Sequence, residues 1–151
     1  MNESVTIEFK PFAQLSLQEL YDILHLRHIV FIVEQKCIFI DTDGFDQQAH
    51  HVMIKEDGKL VAYSRLFDHD MQYPGYLSIG RVVNHPDYRN KKYGKLLMQA
   101  SIEKIKELFG NRPIKIGAQA YLTGFYSSFG FKDIGEYYIE DGIPHLKMVQ
   151  S

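Results

Sequence analysis

Apolar and polar residues alternate from Val5 to Phe9 in VTIEF, the two-residue period of a half-buried strand. The period then lengthens. Leu17, Leu20, Tyr21, Leu24 and Phe31 recur at helical spacing behind Ser16. Glu19 follows Ser16 by three residues, as in a capping box, so the spacing predicts a helix running to about Val33. DTDGFDQQ reads as a polar loop. In HHVMIKEDGKLVAYSRLF two strand-like runs flank Asp57–Gly58, a pair that marks a tight hairpin. YLSIGRVVNHP predicts a further strand, with Gly80 as a candidate bulge, stopped at Pro86. Beyond Gly94, Leu97, Met98, Ile102, Ile105, Leu108 and Phe109 fall on one helical face, while Gln99, Glu103, Lys106 and Glu107 fall opposite. Gly110 is placed to cap that helix. IKIGAQA predicts a short strand, YLTGFYSSFGF a short helix closed by Gly130, and YYIEDGIPHLKMV a last hairpin or strand pair. Strands and helices interleave, with an antiparallel portion early. The expected class is α/β (α+β): a mixed sheet with helices on its faces.

Composition narrows the class. The chain has 151 residues, enough for a core within one domain, and that domain is expected to span residues 1–151. A net charge of −2 argues against a nucleic-acid-coating protein. No run is long and apolar enough to predict a membrane span. The single cysteine, Cys37, and the absence of a signal-like leader point to a reducing cytoplasm, with neither nucleic acid nor membrane as partner. No metal site is expected. His25 and His28 are three apart but lack a third ligand, and DTDG does not continue as a calcium loop. Oligomeric state is not encoded in any visible pattern.

One stretch runs against ordinary electrostatics. RNKKYGKLLM gathers Arg89, Lys91, Lys92 and Lys95 at a helix start, where aligned peptide dipoles already place positive charge. Two readings fit the residues: a solvated loop, or a site for an anion such as a phosphate, which the basic side chains, the helix N–H groups and the unobstructed Gly94 backbone would hold together. Neither a P-loop nor a dinucleotide-binding glycine motif is present.

The surrounding motif decides between them by resemblance. VVNHPDYRNKKYG resembles the signature of the GNAT superfamily of acyl-CoA-dependent N-acyltransferases, R/Q-x-x-G-x-G/A after a strand ending V-x-x-P. Val83, Pro86, Arg89 and Gly94 match, and Lys92 replaces the first glycine. FYSSFGF, Phe125 to Phe131, is similar to the superfamily's F/L-Y-x-x-x-G-F segment, and Gln119 stands where an asparagine is frequent. VFIVEQ, DTDGFD, GRVV, GAQAYL and EDGIPH together resemble the ElaA-like branch, which also tends to carry lysine at the Lys92 position.

The resemblance implies a mostly antiparallel central sheet with helices on both faces, and transfer of an acetyl or other acyl group from acetyl-CoA to a primary amine by direct attack. It implies CoA binding by Arg81, Val82, Val83, Arg89, Asn90, Lys91, Lys92, Tyr93, Gly94, Lys95, Gln119 and Tyr126. The strand residues Arg81 to Val83 would supply backbone N–H groups to the thioester carbonyl, and Tyr126 would protonate the departing thiolate. An alkylamine is mostly protonated at pH 7 and needs a base. Glu34, His50, His51 and His145 are candidates that the residues alone do not separate; the resemblance favours Glu34. The small-molecule or peptide amine acceptor is expected against Glu34, Asp41, Asp43, His51 and His145. The acidic run Glu34, Asp41, Asp43 and Asp46 suggests a negative rim for a cationic acceptor. A non-catalytic acyl-CoA-binding module, and a binding domain for another phosphate compound, are the alternatives.

Overall fold

A computed structural model describes residues 4–151. It contains β1 (Val5–Pro11), α1 (Leu17–Arg27), β2 (His50–Glu56), β3 (Lys59–Phe67), β4 (Leu77–Asn84), α2 (Tyr93–Phe109), β5 (Ile114–Gln119), α3 (Thr123–Ser127), β6 (Lys132–Glu140) and β7 (Ile143–Gln150). The seven strands form one sheet in the order β1-β2-β3-β4-β5-β7-β6. Only β4 and β5, joined through α2, run parallel; every other pairing is antiparallel. The mixed, mostly antiparallel sheet is therefore the one expected. The Asp57–Gly58 and Asp141–Gly142 turns close the β2–β3 and β6–β7 hairpins, all four residues at positive φ.

Two cores sandwich the sheet. Val52, Ile54, Leu66, Ile116 and Met148 pack with Leu97, Met98 and Ile105 of α2, while Met53, Tyr63 and Val83 face the other way onto Ile23 and Leu26 of α1. Alternation along β2 thus divides Val52 from Met53, as the pleat requires. The predicted apolar face of α2 holds, with Leu108 at its half-exposed margin. Ser101, also buried, bonds to Ser64 at 2.7 Å.

The α1 region departs from expectation in two ways. The capping box forms as predicted: Ser16 Oγ accepts from the Glu19 N–H, and the Glu19 carboxylate accepts from the Ser16 N–H. But Leu17 and Tyr21 face solvent, and Ile23, Leu26, Arg27 and Val30 make the buried face. Sequence periodicity cannot rank faces when both carry leucines. After Arg27 the chain winds more loosely, as a π-helix over His28–Glu34. β-branched Ile29, Val30, Ile32 and Val33 are weak α-formers, and π segments concentrate at functional sites. This one sets Val30, Phe31 and Glu34 on the wall of the large cavity.

Candidate active site

β4 and β5 pair only at Leu77↔Ile114 and Ser78↔Lys115. Beyond Ser78 they part, and the fork opens into a cavity of about 990 Å³. The β4 side of the fork is irregular. Gly80 pairs with Arg65 and Val83 with Tyr63, so Arg81 and Val82 together oppose Ser64. That two-against-one arrangement is a bulge. The expected bulge residue, Gly80, keeps regular pairing. Arg81 takes the positive φ, +49°, at a cost of about 1–2 kcal/mol for a residue with a Cβ. Its own side chain anchors it: Arg81 Nη2 donates to the Asp41 carbonyl at 3.0 Å, and Nε lies 2.9 Å from an Asp41 carboxylate oxygen. The bulge interrupts the β3–β4 register at Arg81 and Val82, both of which line the cavity.

The basic loop follows β4. Its 3₁₀ turn, Pro86–Lys91, ends at Lys92, which sits in the left-handed region at φ 61°, ψ 28°. This explains why the superfamily motif has glycine there, and it identifies the strain carried by the lysine. Lys92 caps α2 without a side-chain hydrogen bond, so the helix start lacks the usual N-cap side-chain acceptor. A Cβ placed on Gly94 would meet Asn84 and Phe125 at ordinary distances, 3.6 and 3.8 Å. Protein packing therefore does not demand glycine at that position, while Gly94 lines the cavity. An uncapped helix start beside an unobstructed backbone fits a pyrophosphate.

Of the residues expected to bind CoA, Arg81, Val82, Val83, Arg89, Gly94, Gln119 and Tyr126 line the cavity. Asn90, Lys92 and Lys95 are exposed on the loop surface outside it. Lys91 and Tyr93 turn away: Lys91 Nζ reaches Glu56 at 2.8 Å, and the Tyr93 hydroxyl donates to the same carboxylate. They brace the loop against the end of β2, because a buried carboxylate requires partners.

Tyr126, 7 % exposed, projects from α3 into the cavity between Phe125 and Phe131. Burial, and secondarily Tyr121, pushes its phenol well above the ordinary value of 10. The group stays protonated, as a proton donor must.

Two expectations for the acceptor side need correction. His51 is fully buried and does not line the cavity. Its Nε2 donates to the Asp46 carbonyl at 2.9 Å and its Nδ1 accepts from the Tyr63 hydroxyl. Burial lowers its pKa, and it is a neutral core residue. Nor do the acidic residues form a free negative rim. Arg27, itself 0 % exposed, binds Asp41 and Asp46, each at 2.7 Å. Arg65 binds Asp46 at 2.8 Å and clamps Asp43 with both of its terminal nitrogens. Arg81 adds a second bond to Asp41 and lies 3.5 Å from Asp43. Glu34 is half-exposed and paired with both terminal nitrogens of Arg89, at 2.7 and 2.6 Å. Four acids meet four arginines, and the acidic loop becomes a scaffold. Arg27 and Arg65 were invisible as site residues because their roles depend on contacts across the fold.

The four base candidates separate. His50 packs edge-on against Phe109 outside the cavity, and burial lowers its pKa. His51 is internal. Glu34 is held below the carboxylate range by its bond to Arg89, against the opposing effect of burial. His145 lines the cavity opposite Gln119 in the β5–β7 register. Its Nδ1 donates to the Ile143 carbonyl at 2.7 Å, and its Nε2 faces a Glu140 carboxylate oxygen at 3.8 Å.

The model of the acetyltransferase (GNAT) domain family matches residues 32–151. A UPF0039 protein of Schizosaccharomyces pombe is 42 % identical over 93 % of each chain. Protein ElaA of Escherichia coli is 39 % identical over 92 % of each. Among solved structures, an acyl-CoA N-acyltransferase from Pseudomonas aeruginosa superimposes with a TM-score of 0.92 at 39 % identity, covering 98 % of this chain and all of its own. E. coli ElaA gives 0.90 at 36 % identity, with the same coverage.

Proposed function

The chain belongs to the acetyltransferase (GNAT) domain family, and from that premise we propose that it is a cytoplasmic enzyme moving an acetyl group from acetyl-CoA directly to the primary amine of a small-molecule or peptide acceptor. The family and the fold carry acyl transfer from a CoA thioester. The observation that most supports catalysis at this site is the fork itself: a bulged β4, an uncapped α2 start and a protonated Tyr126 all open onto one cavity.

When bound, the thioester supplies the activated acyl group. Gly94 and the N-terminal N–H groups of α2 hold the pyrophosphate. N–H groups of Arg81 to Val83 stabilise negative charge developing on the thioester oxygen, the interaction that contributes most in acyl transfer. Nε2 of His145 takes the proton that the amine loses, and the hydroxyl of Tyr126 gives one to the departing sulfur. Glu34 acts as the counterion of Arg89 rather than as the base, since a carboxylate held low in pKa is a poor acceptor of an ammonium proton.

The test is thiol release from acetyl-CoA across a panel of amines, alongside calorimetric CoA binding. Amine-dependent release with a matching acetylated product is expected. Tight CoA binding with no release from any amine overturns the enzyme in favour of an acyl-CoA-binding module. Displacement of CoA by ATP at similar concentration points to a different phosphate ligand.

A further inference from the structure

On the sheet face that α1 leaves open, three polar side chains converge at Gly117. Lys147 Nζ lies 2.9 Å from the Tyr73 hydroxyl and 3.3 Å from that of Tyr138, and sits 4.6 and 4.3 Å from the centres of their rings. All line the cavity. A Cβ on Gly117 would collide with the Tyr138 hydroxyl and come within 3.4 Å of Lys147 Nζ, so glycine is what allows the convergence. We propose that Lys147, Tyr73 and Tyr138 form a cradle for a carboxylate carried by one of the two reactants.

Charge is the first argument. Among the described residues Lys147 makes no ion pair, whereas the other cationic side chains of the cavity wall, Arg65, Arg81 and Arg89, are matched by carboxylates. Burial works against its charge, and the bonds to Tyr73 and Tyr138 outweigh burial and keep it protonated. A half-buried cation without a counterion attracts an anion. Hydrogen-bond polarity is the second. An ammonium has only donors, so both hydroxyls accept from Lys147 and their own protons remain for another partner. Beside Tyr73, the amide nitrogen of Gln72 is buried with no acceptor among the described residues, on the same cavity wall. These groups call for a ligand that only accepts, and an ionised carboxylate is such a group. Its single charge matches one ammonium, where a phosphate would bring nearly two.

Position is the third argument. Lys147 lies two residues beyond His145 on the same face of β7, about 7 Å along the strand. An amine at His145 and a carboxylate at Lys147 suit one short amino acid. The alternative source is a dicarboxylic acyl group on CoA. This proposal rests on the acyltransferase reading for its choice of substrate, but the cradle can be tested without turnover.

Two measurements decide it. In the first, butyrate is titrated into the whole protein while the Lys147 side chain is followed by NMR, with butanol as the uncharged control. Saturable shifts with butyrate alone are expected, and their absence overturns the cradle. In the second, turnover with acetyl-CoA is compared for glycine, other α-amino acids and short ω-amino acids, each against its carboxamide. Succinyl-CoA is compared with acetyl-CoA using propylamine. One of these two comparisons should favour the carboxylate by about tenfold or more in kcat/KM, and the ratio should fall toward one in Lys147→Met. Lys147→Arg should retain part of it. Tyr73→Phe, which loses one hydroxyl, gives the same readout if Lys147→Met does not fold. A preference for uncharged or cationic reactants, or a ratio unmoved by these substitutions, overturns the proposal. Butyrate shifts with no acyl transfer to any amine uphold the cradle and refute the enzyme reading instead.

Discussion

Tyr126 shows how one residue's role depends on its setting. A tyrosine on a five-residue helix packed against two phenylalanines has the look of a core aromatic. Its place on the cavity wall supports the proposed role of proton donor, and burial keeps the phenol protonated. Tyr126→Phe removes only the hydroxyl. kcat should fall by about 100-fold or more, with CoA affinity and melting temperature nearly unchanged. Because the phenol is pushed above its ordinary value of 10, Tyr126 should cause no alkaline fall in kcat below that pH. A second pair of substitutions separates counterion from base. Glu34→Gln should leave kcat within about threefold and tighten CoA binding by freeing Arg89, while stability barely moves because the pair is exposed. His145→Gln should lower kcat by about 100-fold or more at neutral pH. The opposite pattern in stopped-flow and calorimetric data would return the base to Glu34.

At the level of elements, the junction of β4 with α2 concentrates strain beside the proposed pyrophosphate site. Arg81 at φ +49° and Lys92 at φ +61° are side-chain-bearing residues in a region that favours glycine. The two differ in what compensates them. Arg81 is pinned through its guanidinium by Asp41, whereas Lys92 is exposed and serves as the cap of α2. Lys92→Gly should therefore raise stability by about 1 kcal/mol, read as a higher melting temperature. Its effect on CoA affinity tells whether the lysine also meets a phosphate: a loss shows that it does. Gly94→Val is the converse case. A single Cβ there would meet Asn84 and Phe125 only at ordinary contact distances, so the melting temperature should hold in Gly94→Ala, while CoA binding weakens, by about tenfold or more for the branched valine.

Across the whole molecule, the acidic loop between α1 and β2 is tied to α1 by Arg27 and to the sheet by Arg65 and Arg81. Removing one member leaves buried charge unmatched, so Arg27→Met should cost about 3–5 kcal/mol. The same network sets the response to acid. Burial opposes ionisation of Asp43 and Asp46, but Arg65 and Arg27 outweigh it and hold both below the ordinary value of 3.8. Carboxylates with depressed folded-state pKa values contribute stability that is present above the unfolded value and lost as pH falls through the folded one. Melting temperature should thus decline as pH drops below about 4, and the decline should be shallower in Asp43→Asn. Thermal denaturation across that range checks both.

Short-range patterns were enough to specify the elements. Period, capping residues and turn glycines act over a few residues, which is why the Ser16–Glu19 box, the Asp57–Gly58 hairpin, the α2 face and the basic loop before Gly94 can be read from the chain itself. Motif spacing extended that reading to Tyr126 and the β4 strand. What the chain alone left open required partners distant in sequence. Proposing His145 as the base over Glu34, His50 and His51 rests on which nitrogen or oxygen each already uses, across gaps of up to 55 residues for Glu34 and Arg89. The neutralisation of the acidic loop by Arg27, Arg65 and Arg81 had no local signature, because Coulomb pairing follows distance in space. The gathering of Tyr73, Tyr138 and Lys147 around Gly117 had none either: it exists because β7 inserts between β5 and β6, a strand order that no local pattern specifies.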